Sequence, residues 1–249
     1  MTQSLQEQYA TDDNLQARIA LHAAFSINPH WAEWLFEQEA PAPGARILDL
    51  GCGPATFWRA IKDRIDPSWF IPLADLTPGM VAAARRELGA RAVYVVADAQ
   101  DLPFPADSFD AVLANHMLYH VPDRPRAFAE ISRVLVSGGT LHASTIGHGY
   151  LAELVALAPH MNAERYSESF GLETGPRQLE PFFTDIHVER FQDALAVTDV
   201  EPVLAYLRSS ESYNGQDPSR ARTTVQNAIA RDGAFRVAKP LGVVSCRKA

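Results

Sequence analysis

Short apolar runs recur at roughly 20–30-residue intervals between residues 45 and 146, each followed by a stretch of helical or turn character. The runs are ARILDL (45–50), WFIPLAD (69–75), AVYVVA (92–97), FDAVLA (109–114) and TLHASTI (140–146). Most lack strict apolar/polar alternation, as strands do when helices cover both faces. Helices are expected over Ala55–Ile65, from Pro78 to Gly89, and over Arg124–Leu135, with Ser137-Gly138-Gly139 ending the last. Pro72 is awkward within the second run. This rhythm points to an α/β fold with a doubly wound, mostly parallel sheet, in which ligands gather beyond the C-terminal strand ends.

The flanks break the rhythm. Residues 12–39 read as two helices, or a kinked pair, interrupted at Asn28-Pro29. After residue 147 come a helix in HGYLAELVALAP, a polar loop or lid in NAERYSESFGLETG, and a short helix in GPRQLEPFF. A sixth strand follows at 185–191, then two helices, then one bent strand over 234–248. The expected organisation is an N-terminal helical lid (1–40) and a core (41–249), with 147–183 and 198–232 as substrate-side or lid inserts. The two closing strands suit an antiparallel edge.

Composition narrows the function classes. The chain has 249 residues, 47% hydrophobic and 21% charged, enough to bury a substantial core. A formal charge of -8 and no basic run argue against a nucleic-acid partner. No apolar run approaches a membrane span and the start is too polar for a signal peptide, so a cytoplasmic location is expected. Cys52 and Cys246 form no metal or disulfide pattern, HExxH and GxSxG are missing, and no metal is expected.

The most informative short stretch is ILDLGCGPATF (47–57). Gly51 and Gly53 let the backbone turn tightly and approach a ligand. A dinucleotide loop would need a third glycine where Thr56 stands, and no Walker lysine follows. Asp75 ends the second strand, where an acidic side chain can accept from both ribose hydroxyls. Asp98-Ala99-Gln100 follows the third strand and Asn115-His116 the fourth.

In that order, ILDLGCGPAT (47–56), PLADLTPGMVAAAR (72–85), ADAQDLPFPADSFDAVLANHMLYHVPD (97–123) and ISRVLVSGGTLHAST (131–145) resemble the class I S-adenosylmethionine-dependent methyltransferases, in their small-molecule branch. The resemblance implies a Rossmann-like seven-stranded sheet of order 3-2-1-4-5-7-6 with the last strand antiparallel. It implies S-adenosyl-L-methionine as cofactor, with Asp49, Gly51 and Gly53 along its methionine part and Asp75 on the ribose hydroxyls. Leu76 and Met80 would pack near adenine or ribose, Asp98 would meet the adenine amino group, and Ala99 would supply a backbone N–H. Asn115 and His116 would border the sulfonium. The chain departs from the family pattern at Pro54-Ala55-Thr56, which narrows the helix entry, and at Ser137, where proline is commoner.

Methyl transfer needs alignment and exclusion of water more than a large set of reactive groups. His116, beyond the fourth strand, and His148, between two glycines beyond the fifth, are the candidates for base or substrate contact. His120 suits a wall position and His142 a packed one. Tyr9, Phe25, Trp31, Trp34 and Phe36 either pack the N-terminal helices or form a wall for an apolar or planar acceptor. The function expected is methyl transfer to oxygen, nitrogen or carbon of a small organic acceptor, with oxygen slightly preferred. The alternatives are a nicotinamide-dependent oxidoreductase, against which Thr56 argues, and a noncatalytic cofactor-binding or partner-binding protein.

Overall fold

The computed structural model describes residues 20–39, 41–158, 164–209 and 217–249. Contacts divide the chain into a larger unit of His30–His148, Tyr166–Phe191 and Leu241–Ala249, and a smaller one drawn from Met1–Pro29, Gly149–Arg165 and Gln192–Pro240. The helix α1 (Trp31–Glu39) lies within the larger unit and packs Phe36 into its core. Tyr9 and the first part of the helix expected from residue 12 lie outside the described residues.

The larger unit is built on β1 (Ile47–Leu50), β2 (Pro72–Asp75), β3 (Val93–Val96), β4 (Phe109–Leu113), β5 (Leu135–Ile146), β6 (Thr184–Phe191) and β9 (Leu241–Arg247). Their order is β3-β2-β1-β4-β5-β9-β6. Strand β9 runs antiparallel to both neighbours, and the pairs from β3 through β5 are parallel. Counting β9 as the seventh strand of this sheet gives the expected 3-2-1-4-5-7-6 order. Successive residues of β1 serve opposite faces. Ile47 packs with Leu73, Leu113, Trp58 and Phe36, whereas Leu48 joins Val112, Leu141, Phe128 and Ile131. Both faces are covered, which is why these runs are continuously apolar.

Between the strands lie α2 (Thr56–Ala60), α3 (Pro78–Leu88) and α4 (Arg124–Val134), followed by α5 (Ala152–Leu157), α6 (Glu164–Phe170), α7 (Gly175–Leu179), α8 (Val200–Arg208) and α9 (Ser219–Asp232). Pro78 occupies the first turn of α3, and Asp123 caps α4 by accepting from the Arg126 N–H. The helix expected over Ala55–Ile65 is α2 followed by a 3-10 turn, Lys62–Arg64. Pro72 is tolerated as the first residue of β2.

Three expectations need correction. Ser137-Gly138-Gly139 lies within β5 instead of closing a helix, because a side chain at Gly139 would meet the Asp110 carbonyl at 3.1 Å and glycine lets the strands approach. The stretch read as a polar loop contains α6, whose Ser167 and Phe170 are buried. The bent strand over 234–248 is two strands. β8 (Phe235–Ala238) pairs with β7 (Ala194–Val197), a strand sequence reading missed, and β9 enters the large sheet. Lys239-Pro240 interrupts the run between them.

The smaller unit packs β7 and β8 with α5, α8 and α9 around Leu195, Val197, Val203, Leu204, Leu207, Val225 and Val237. Its buried Asp193 is fully partnered: it accepts from Ser26 Oγ, the N–H groups of Asn28 and Ala194, and Lys239 Nζ. Among the described residues no helix is long and apolar enough to cross a membrane.

Phe128 on α4 is 1% exposed and contacts the rings of Phe170 and Phe182. Phe128→Ala should cost the larger unit roughly 3–5 kcal/mol in denaturant unfolding. A loss below about 1 kcal/mol would contradict this packing.

Candidate active site

Beyond β1 the chain turns through Gly51 and Gly53, whose φ angles of 74° and 53° lie in the left-handed region. The N–H groups of Gly51 and Cys52 both reach the Ala74 carbonyl, at 2.8 and 3.0 Å. Gly51 also needs its missing side chain, since a Cβ there would stand 2.7 Å from Cβ of Met117. Asp75 ties the two strand exits together. One carboxylate oxygen accepts from the Gly53 N–H at 3.0 Å, the other from the Thr77 N–H at 2.8 Å.

Asp49 is 2% exposed. Its Oδ2 accepts from the Trp58 indole N–H at 2.7 Å, and its Oδ1 has no partner. Burial raises the carboxyl pKa to about 7, opposed by the Trp58 hydrogen bond and reinforced by the nearby charge of Asp75. Both amide atoms of Asn115 and the hydroxyl of Ser144 are also buried without partners. Strand register explains their company. Asp49 pairs with Leu113 and Leu113 with His142, and the His116 N–H to Ser144 carbonyl bond carries the ladder past the end of β4. With a period of two, Asp49, Asn115 and Ser144 share one face near the C-terminal edge. Buried polar groups are rarely left unpaired, so an unpaired carboxylate oxygen, carboxamide and hydroxyl form a donor and acceptor set suited to an ammonium and a carboxylate.

At the β3 exit Asp98 accepts from the Gln100 backbone N–H at 2.9 Å and from its side-chain amide, while Gln100 Oε1 accepts from the Asp123 N–H. A cavity of about 420 Å³ adjoins it, lined by Val96, Ala97, Asp98, Gln100, Asp101, Pro103 and Arg126. Leu76 and Val96 are half exposed, Ala99 is buried, and Met80 stands in the first turn of α3. All the residues expected to hold a cofactor therefore lie at one end of the large sheet.

His116 adopts φ 53°, a conformation costly for a residue with a Cβ. Its ring lies 5.5 Å from Trp31 and 6.5 Å from Tyr119. The row extends from Trp31 to Trp34 and Phe191 on one side, and from Tyr119 to Tyr166 and His120 on the other. His148 is absent from this row. It is exposed, and its backbone N–H donates to Glu173 at 3.0 Å. His142 packs inside β5 between Ser245 and Thr140, and burial lowers its pKa to about 4. His22 belongs to the smaller unit, between Tyr150 and Tyr206. Among the described residues no cluster of three or more side chains suits a metal ion.

Sequence reading missed Trp58 and Ser144. Trp58 stands near the start of α2, where local sequence does not show that its N–H serves Asp49. Ser144 carried no signal, because its neighbours depend on the pairing of β5 with β4.

The buried Asp49 generates a pH dependence. An unfolded aspartate ionises near pH 3.9, whereas the folded one holds its proton up to about pH 7. Between these values the folded chain binds the extra proton, so each rise in pH favours unfolding, and the loss levels off above about pH 7. Asp49→Asn keeps an acceptor for Trp58 and cannot ionise. From about pH 5 to about pH 8 the variant should escape roughly 1–3 kcal/mol of the wild-type loss in urea unfolding. Parallel pH profiles would refute this reading.

Residues 48–143 match the family described as a methyltransferase domain. A malonyl-[acyl-carrier protein] O-methyltransferase from Serratia marcescens is 30% identical over 59% of this chain and 56% of its own. A ubiquinone/menaquinone biosynthesis C-methyltransferase, UbiE, from Pasteurella multocida is 32% identical over 47% of this chain and 46% of its own. The chain thus spans about half the length of these curated relatives. The structure of an S-adenosylmethionine-dependent methyltransferase from Aquifex aeolicus superposes with a TM-score of 0.57 at 12% identity, covering 96% of this chain and all of the other, a likeness of fold alone. The matched segment runs from β1 into β5, through the strand ends that carry the glycine loop and its polar partners, and this segment is a methyltransferase domain, similar over its length to S-adenosylmethionine-dependent methyltransferases.

Proposed function

We propose that the larger unit binds S-adenosylmethionine at the ends of β1 to β4, and that the protein transfers a methyl group to oxygen, nitrogen or carbon of a small organic acceptor, with oxygen slightly preferred. The observation that carries this reading is the set of buried, unpartnered polar groups on Asp49, Asn115 and Ser144 beside a glycine-opened turn. The relatives' names specify oxygen in one case and carbon in the other, so they support methyl transfer more firmly than any acceptor atom.

The cofactor supplies an activated methyl on a sulfonium. Asp75 would accept from the ribose hydroxyls with the lone pairs left after Gly53 and Thr77, since each carboxylate oxygen takes more than one donor. Asp49, Gly51 and Gly53 would line the methionine part. Asp98, oriented by Gln100, and the Ala99 N–H would hold the adenine amino group and edge, and Leu76 and Met80 would pack near the adenine or ribose. Asn115 borders the reacting end with His116. His116 accepts a proton from the acceptor when the attacking atom bears one, and His148 is the second candidate for that role or for substrate contact.

Calorimetry with S-adenosylhomocysteine tests the cofactor assignment. Asp75→Ala should lose roughly 1–3 kcal/mol of binding, and NAD should not bind in its place. Tight NAD binding without affinity for either sulfur compound would overturn the reading. His116→Asn should lower turnover roughly a hundredfold while cofactor affinity stays near wild type. A larger loss in His148→Asn would move the proton-accepting role to His148.

A further inference from the structure

The ring row at the strand ends has a chemistry of its own. Phe191, Trp34, Trp31, His116, Tyr119 and Tyr166 follow one another with centroid separations between 5.1 and 6.5 Å. They come from four segments of the larger unit: the end of β6, α1, the β4 exit and α6. Five of the six keep partial exposure, and only Phe191 is buried. His116 lies within the row and is held there by the left-handed backbone described above. The row contains no carboxylate, lysine or arginine. The nearby Arg124 is engaged by Gln178, Ser169 and the Val121 carbonyl, and Arg190 by Glu173. Among the described residues in contact with the row, a carboxylate acceptor would find no uncommitted Lys or Arg. A flat conjugated ring would find aromatic faces and edges of matching electrostatics.

We propose, resting on the methyltransferase reading, that the acceptor is a planar conjugated ring bearing a hydroxyl, stacked against Trp31 with its hydroxyl directed to His116. The acceptor oxygen forms a bond to the methyl carbon as the sulfur–methyl bond breaks. That bond's electron pair stays on sulfur, and the hydroxyl proton passes to a ring nitrogen of His116, which releases it to water. The products are a methyl aryl ether and the neutral demethylated cofactor.

Trp31 and Trp34 give a readout independent of turnover. With S-adenosylhomocysteine saturating, naphthol should quench tryptophan fluorescence and bind roughly tenfold tighter than the saturated decalin alcohol or a malonate half-ester. Trp31→Leu should lose roughly fivefold to tenfold in naphthol affinity, and Trp31→Phe should retain most of it. Unchanged S-adenosylhomocysteine affinity in both variants shows that they are folded. Equal binding of naphthol and the saturated alcohol, or preference for the half-ester, would overturn the proposal while leaving the methyltransferase reading intact. Failure of S-adenosylhomocysteine itself to bind would instead remove the reading on which the proposal rests.

Discussion

The backbone ladder from β1 through β4 to β5 is the constraint on which the site depends. Parallel strands in register deliver their C-terminal ends to one edge, and a shift of one residue would turn each side chain to the opposite face. Asp49, Asn115 and Ser144 share a face only because Asp49 lies opposite Leu113 and Leu113 opposite His142. The apolar residues that alternate with them supply the burial holding this register, with Leu48, Leu50 and Val112 on one side and Ile47 and Leu113 on the other. The same residues that make the core therefore position the polar edge.

Around that ladder, tight geometry replaces bulk. Met117 packs where a side chain on Gly51 would stand. Gly242 lets β9 pass between β5 and β6, since a Cβ there would collide with the Glu189 carbonyl. Asp75 pins the glycine turn to the β2 exit through two backbone N–H groups, so the carboxylate that ends β2 is a structural tie. Trp58 stabilises Asp49 in a place where burial alone makes the charged form costly.

Much of the larger unit was legible in the chain. Continuous apolar runs, proline and glycine positions and the polar residue after each run located β1 to β5 and the acidic partners Asp75 and Asp98. Reading failed where the signal was short or shared. The four residues of β7 gain their strand character from pairing with β8, and the 234–248 run conceals a change of sheet at Lys239-Pro240. α6 was hidden by its polar composition, because only one side of it is buried. Trp31 and Trp34 could be named from sequence, but local periodicity cannot say that they meet His116 and Phe191, more than 80 residues away along the chain.

The sequence by itself determined the alternation of strand and helix, the GxG turn after β1, and the residue types at each strand end, because these follow from hydrophobic period and backbone permissiveness within a few residues. Tertiary structure alone decided which polar groups became buried without partners, which carboxylate took the Trp58 N–H, and which histidines joined the ring row. Those outcomes depend on strand register and on contacts between residues distant in the chain, where desolvation and geometry act and local sequence has no hold.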